Sequence, residues 1–144
     1  DRYAAERGLR AEEPEIDAFI ENMKRGMAEQ GLKADEDNLT AEEAAQVDTM
    51  RREMGRAMIR QWKINKSLYE AYGGRIIYQH LGPEPLDAYR QYLEERRDAG
   101  DLKIVDQAMA DAFWKYFTDD SIHDFMEPGS EEAESAFAEP PWER

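Results

Sequence analysis

The residues of this chain best suited to chemistry are its two histidines and the carboxylates around one of them. His80 closes the run Gly73-Gly74-Arg75-Ile76-Ile77-Tyr78-Gln79-His80. An imidazole there could act as a general base or a pH switch. No Ser or Cys nucleophile lies near it in sequence, and Glu84 and Asp87 could only orient it. The competing expectation, a partly exposed histidine at a corner between helices, needs nothing further. The glycine pair lacks the G-x-G-x-x-G and G-x-x-x-x-G-K-[ST] settings of a phosphate cradle, so it reads as a helix stop. Asp119-Asp120-Ser121-Ile122-His123-Asp124 gathers three carboxylates and an imidazole. On a helix, Asp120, His123 and Asp124 would share a face, which is metal-ligand chemistry in type. The alternating oxygens and turn glycine of a calcium loop are absent. A solvated helix end, with Asp119 or Asp120 as N-cap, is the expectation. Acids are so frequent that spacing nominates no acid/base pair. No catalytic residue, metal or cofactor is therefore assigned.

Charge patterning is more informative. Arg51, Arg52, Arg56, Arg60, Lys63 and Lys66 stand against Glu53 alone in residues 51–66, in a chain of net charge −14. Arg52, Arg56, Arg60 and Lys63 fall on one helical face, at i, i+4, i+8 and i+11. Two readings stay open. The face packs against the acidic segment 11–48 or the acidic C-terminus, or it docks an anionic partner. The aromatic and Met content is the second lead, with seven Met, seven Tyr, five Phe and three Trp. Met-rich helices make adaptable binding surfaces. Met23, Met50, Met54, Phe113 and Phe117 are expected in the core. Trp62, Tyr69, Tyr78, Tyr92 and Trp114 could line a groove.

The bulk numbers bound the rest. A chain of 144 residues can bury a proper core without disulfide or metal, and it has no cysteine. Thiol catalysis and Cys-ligated zinc are excluded. An acidic chain of pI about 4.5 is a poor candidate for binding a phosphate backbone. No apolar run is long enough to span a bilayer.

The elements that must position these residues are mainly helical. Residues 1–8 read as the end of a helix stopped by Gly8. Pro14 and the acids around it open a helix over 14–30, with Ile16, Phe19, Ile20, Met23 and Met27 as its apolar stripe and Gly31 as its end. Residues 33–39 form a polar loop. Thr40 with Glu43 matches a capping box, so a long helix follows over 41–72. At ~1.5 Å per residue that helix is about 48 Å long, and it is the spine of the fold. Apolar residues on two of its faces predict contacts on more than one side. Ile76, Ile77 and Tyr78 are expected against the core. Gly82-Pro83-Glu84-Pro85 opens a helix to Ala99, with Leu86, Tyr89 and Leu93 inward. Asp106 caps another over 106–118, with Met109, Ala112, Phe113, Tyr116 and Phe117 inward. Short strands are expected near 76–79 and 102–105, and a small βαβ unit is conceivable from them. The domain expectation is one helical domain over 1–127 and an acidic, flexible tail over 128–144.

The opening Tyr3-Ala4-Ala5-Glu6-Arg7-Gly8-Leu9-Arg10-Ala11, followed by Glu15-Ile16-Asp17-Ala18-Phe19-Ile20, resembles the N-terminal domain of SurA-type periplasmic chaperones. Arg51 to Arg60, running into Lys63-Ile64-Asn65-Lys66, is similar to the long helix of that family. The resemblance covers residues 1–30 and 48–72, under half the chain. Residues 73–144 depart from it and supply no parvulin isomerase domain. The resemblance implies a chaperone-like binding domain without isomerase activity, facing extended, aromatic-rich segments of unfolded envelope proteins. It also implies a periplasmic address, with a signal peptide removed ahead of Asp1.

The sequence thus predicts a mainly α, non-catalytic module that binds protein or extended polypeptide, and neither nucleic acid nor a membrane span. The partner-binding residues expected are Arg52, Arg56, Arg60, Lys63, Trp62, Tyr69 and Tyr78. The alternative is a structural or adaptor subunit of one complex, docking through the Arg51–Lys66 face. A homodimer is one such assembly.

Overall fold

The computed structural model describes residues 2–31 and 38–143. Most of the polar loop expected over 33–39 lies outside the described residues. The fold is mainly helical. In chain order its elements are α1 (Arg2–Glu6), α2 (Glu13–Glu29), α3 (Ala41–Tyr72), β1 (Ile77–Gln79), β2 (Gly82–Glu84), α4 (Leu86–Asp98), α5 (Gln107–Thr118) and α6 (Glu131–Ser135). Short 3-10 turns occupy Asp120–Ile122 and Pro141–Glu143. No helix among the described residues is long and apolar enough to cross a membrane.

Two compact units make up the chain. The first holds residues 1–64 and 139–144, the second residues 65–138. Helix α3 contributes to both, up to Ile64 in the first and from Asn65 in the second.

In the first unit, Gly8 takes a φ of +63° and lets the chain leave α1, with Leu9 N–H closing on Ala4 C=O at 2.9 Å. Pro14 stands in the first turn of α2, where its missing N–H costs nothing. The Glu12 N–H donates to the Glu15 carboxylate at 2.8 Å. The expected capping box of α3 is formed. Thr40 N–H donates to Glu43 Oε2 at 2.8 Å, and Glu43 N–H donates to Thr40 Oγ1 at 3.3 Å. Ile16 and Ile20 of α2 are buried with Tyr3, Ala4, Ile59 and Trp62. Gly55 permits the close packing of α2 on α3, since a Cβ there would meet the Phe19 ring at 3.1 Å.

Trp142 is also buried in this unit. Its indole meets that of Trp62 edge to face, with ring centroids 5.3 Å apart. The stretch expected as a flexible tail over 128–144 therefore carries α6, the turn at 141–143, and the buried side chains Ala133, Phe137 and Trp142. Its carboxylates face solvent while these apolar residues do not, so net charge hid the pattern. The division into units also falls elsewhere than at residue 127.

In the second unit, Gly73 and Gly74 end α3 with φ of +66° and +90°. β1 and β2 form an antiparallel hairpin pairing Ile77 with Glu84, Tyr78 with Pro83, and Gln79 with Gly82. The other edge of β1 is used too, by Tyr78 N–H to Asp124 C=O and Met126 N–H to Ile76 C=O, each 2.9 Å. Two expectations are corrected here. The partner of β1 is 82–84 rather than 102–105, and no βαβ unit forms. A two-residue connection through His80 and Leu81 joins adjacent antiparallel strands, whereas a parallel pair needs a crossover of a dozen residues or more. Ile77, Leu86 and Phe117 form the core, with Tyr89, Leu93, Phe113, Trp114, Tyr116 and Phe125 packed on it. Tyr78, expected inward beside Ile76 and Ile77, is 41% exposed because the pleat turns it to the other face. Met109 and Ala112, expected on the inner face of α5, are exposed as well.

Candidate functional site

The expected basic face is engaged within the first unit. Arg52 Nη1 binds Asp17 Oδ1 at 2.9 Å, and its Nη2 binds the Glu13 carboxylate. Arg56 Nη2 reaches the other oxygen of Glu13 at 3.0 Å. Lys63 Nζ donates to Glu15 Oε2 at 2.6 Å and to the Arg10 carbonyl at 2.8 Å. The acids that open α2 thus meet one turn after another of α3. Hydrogen bonds from Arg56 and Arg52 hold the Glu13 carboxyl below the usual carboxylate range. Arg51, Arg60 and Lys66 each have an interaction as well. Of the two readings of this charge run, the intramolecular one accounts for Arg52, Arg56 and Lys63.

The aromatic candidates do not line one groove. Trp62 is core in the first unit. Tyr69 belongs to the second unit, where its ring packs on Phe137 with centroids 5.2 Å apart. Tyr78 donates its hydroxyl to Glu132 at 2.5 Å.

Neither histidine joins a constellation. His80 lies exposed at the hairpin tip. His123 is half-buried, its ring edge-on to Tyr116 and Phe125 and its Nε2 against the Tyr116 carbonyl oxygen. Asp119 caps its own turn through Ser121, and Asp120 turns to Arg75. Among the described residues, no three His, Cys, Asp or Glu side chains are placed to hold one metal ion.

The Gly73-Gly74-Arg75 stretch instead builds a structural joint. Arg75 Nε donates to Asp87 Oδ2 at 2.9 Å, its Nη2 to Asp87 Oδ1 at 3.0 Å, and its Nη1 to Asp120 Oδ2 at 2.7 Å. Its guanidinium also lies over the Phe125 ring, 4.4 Å from the centroid. Burial raises the Asp87 carboxyl, but hydrogen bonds from the Arg75 side chain and backbone outweigh it and leave the net shift downward. Asn65, buried in α3, is satisfied at both ends: its amide donates to Pro83 C=O at 2.9 Å and accepts from Tyr89 OH at 2.7 Å.

Described residues line an open concavity along α3 beside Met50, and another between α4 and α5. A cleft of about 420 Å³ is lined by Arg97, Leu102, Ile104, Ala110 and Trp114, among others. Arg97 stacks its guanidinium 5.0 Å from the Trp114 ring centroid and so forms one wall. Val105 and Met109, each next in sequence to a lining residue, are 87% and 67% exposed. Aromatic, aliphatic and charged side chains meet in its walls, Lys103 and Asp111 among them, a lining suited to binding. Trp114 was a groove candidate in the sequence. The aliphatic wall was not, because Leu102–Val105 reads there as a strand.

No protein-family model matches this chain, no curated protein is similar to it, and no solved structure matches its fold.

Proposed function

We propose that this chain is a non-catalytic, chaperone-like module that holds extended or unfolded polypeptide. The observation that carries the reading is the α4–α5 cleft, with Leu102, Ile104 and Trp114 in its wall and the exposed Val105 and Met109 next in sequence to its lining residues. Exposed apolar side chains beside an aromatic-walled cleft suit apolar segments of many sequences. The adaptor alternative, docking through Arg51–Lys66, has less in its favour: Arg52, Arg56 and Lys63 would first have to leave the carboxylates of α2. A periplasmic address is part of the proposal and rests on the resemblance of residues 1–30 and 48–72 to SurA-type chaperones.

The test is light scattering from a urea-unfolded, aggregation-prone polypeptide diluted into buffer with the chain present. The wild type should suppress scattering. Val105→Lys with Met109→Lys should lose most of that suppression while keeping the wild-type melting temperature, since both side chains face solvent. Scattering that is the same with and without the chain contradicts the proposal.

A further inference from the structure

Two cations line the α4–α5 cleft with donors left over. The Lys103 ammonium makes no hydrogen bond or ion pair among the described residues. Arg97 commits one edge of its guanidinium, where Nε donates to Asp98 Oδ1 at 2.9 Å. The face of the same group lies on Trp114, 5.0 Å from the ring centroid. Its Nη1 and Nη2 donate to nothing among the described residues. Elsewhere in the chain Arg52, Arg56, Lys63 and Arg75 meet carboxylates. Asp111, a carboxylate in the cleft wall, pairs with neither cation and accepts from Gln107 Nε2 at 2.7 Å instead. Beside these charges Leu102 and Ile104 supply an aliphatic wall and Trp114 an aromatic one. The volume, about 420 Å³, lies at the lower end of the ~300–1,000 Å³ in which small molecules bind.

We propose that this cleft binds a small organic carboxylate with a single aromatic or branched aliphatic body. The carboxylate lies at Lys103 Nζ and the Nη pair of Arg97, and the body lies against Trp114, Leu102 and Ile104. An Nη pair is a planar donor set that matches the two oxygens of a carboxylate, and a lysine adds a point charge. A cationic ligand would meet two cations against one acid, and a neutral one would leave the charges unmatched. The net charge of −14 does not exclude an anion at close range, because exposed charges farther off than about 8 Å are largely screened at physiological salt. Carboxylate binding does not depend on polypeptide holding, although both use the cleft.

The probe is 3-phenylpropanoate, titrated into the full chain by calorimetry, with 3-phenylpropanamide and 3-phenylpropylamine as its neutral and cationic counterparts. The indole N–H of Trp114 is followed by NMR. The carboxylate should bind with a Kd of about 1 mM or tighter and shift the Trp114 signal. The amide should bind about tenfold more weakly, the difference between a charge-assisted and a neutral hydrogen bond. Lys103→Gln should remove most of that preference and keep the wild-type melting temperature, since Lys103 is exposed and holds no partner among the described residues. Equal affinity for carboxylate and amide, a preference for the amine, or an unchanged preference in Lys103→Gln overturns the proposal. So does a tenfold gain when the same carboxylate ends a short peptide, acetyl-Ala-Ala-Phe, since the occupant is then a chain end. Binding of 3-phenylpropanoate by a chain that leaves light scattering unchanged keeps the carboxylate site and removes polypeptide holding. Suppressed scattering without carboxylate binding does the reverse.

Discussion

Truncating Trp142 separates a structural C-terminus from a solvated tail. The indole is 5% exposed and meets Trp62 edge to face. Removing a buried Trp side chain costs about 3–5 kcal/mol, and the ring pair adds ~0.5–1.5 kcal/mol beyond area. One feature works the other way. The Trp142 Nε1–H has no hydrogen-bond partner among the described residues, and its removal returns about 1–3 kcal/mol. Trp142→Ala should therefore destabilise the first unit, about 70 residues, by about 3 kcal/mol, or lower its Tm by roughly 12–24 °C. Trp142→Phe keeps a ring and deletes the orphaned N–H, so it should cost about 1 kcal/mol or less. The assay is urea unfolding of the full chain in a Trp114→Phe background, where Trp62 fluorescence reports the first unit. A Trp142→Ala change within about 0.5 kcal/mol of wild type, the range of substitutions outside packed sites, refutes the reasoning.

Three further outcomes follow from the second unit. Gly73→Ala and Gly74→Ala both force an L side chain to positive φ, at about 1–2 kcal/mol, but only at Gly74 would the new Cβ meet Asp87 Cβ, at 2.5 Å. Thermal melts should rank Gly74→Ala clearly below Gly73→Ala, and equal melts would discount that contact. Hydrogen bonds from Arg75 hold Asp120 below its usual carboxylate pKa, and Asp87 is also shifted down. Their contribution is present above the unfolded value near ~3.9 and is lost as pH falls through the folded values. Asp87→Asn should flatten the acid limb of a stability–pH curve, and an unchanged limb would contradict this. Burial, then the hydrogen bond to Glu84, pushes the Tyr116 phenol up to about 12. The raised value favours the neutral phenol, so its share of stability holds below the unfolded ~10 and is lost as pH rises through the folded value. Ultraviolet titration of Tyr116→Phe should lack the latest phenolate step of the wild type.

Much of the helical order was legible because caps and stops are local. Thr40 with Glu43, Pro14, Asp106 and the Gly73-Gly74 pair each mark a boundary through contacts within a few residues. Pairing at longer range was not legible. Leu102–Val105 has a strand's composition, yet β1 takes Gly82–Glu84, which a short turn places beside it. Met109 continues the apolar stripe of α5 by spacing, but Phe113, Tyr116 and Phe117 already fill the contact with the core, and Met109 lies one turn earlier in solvent. Charge density disguised the C-terminal segment, where Ala133 and Phe137 stand four apart but α6 around them is a single, mostly acidic turn, and Trp142 lies beyond it. The basic run of α3 left two readings open in sequence. The carboxylates of Glu13, Glu15 and Asp17 meet three of its residues only once α2 lies against α3.

The most direct test of polypeptide binding at the α4–α5 connection is site-specific photocrosslinking of the full chain to an unfolded polypeptide. A photoreactive phenylalanine replaces Val105 in one sample and Arg60 in another. Adducts at position 105, with few or none at position 60, are predicted. Adducts at position 60 alone would return the docking surface to the basic face of α3, and no adduct at either position would contradict polypeptide binding at the α4–α5 connection.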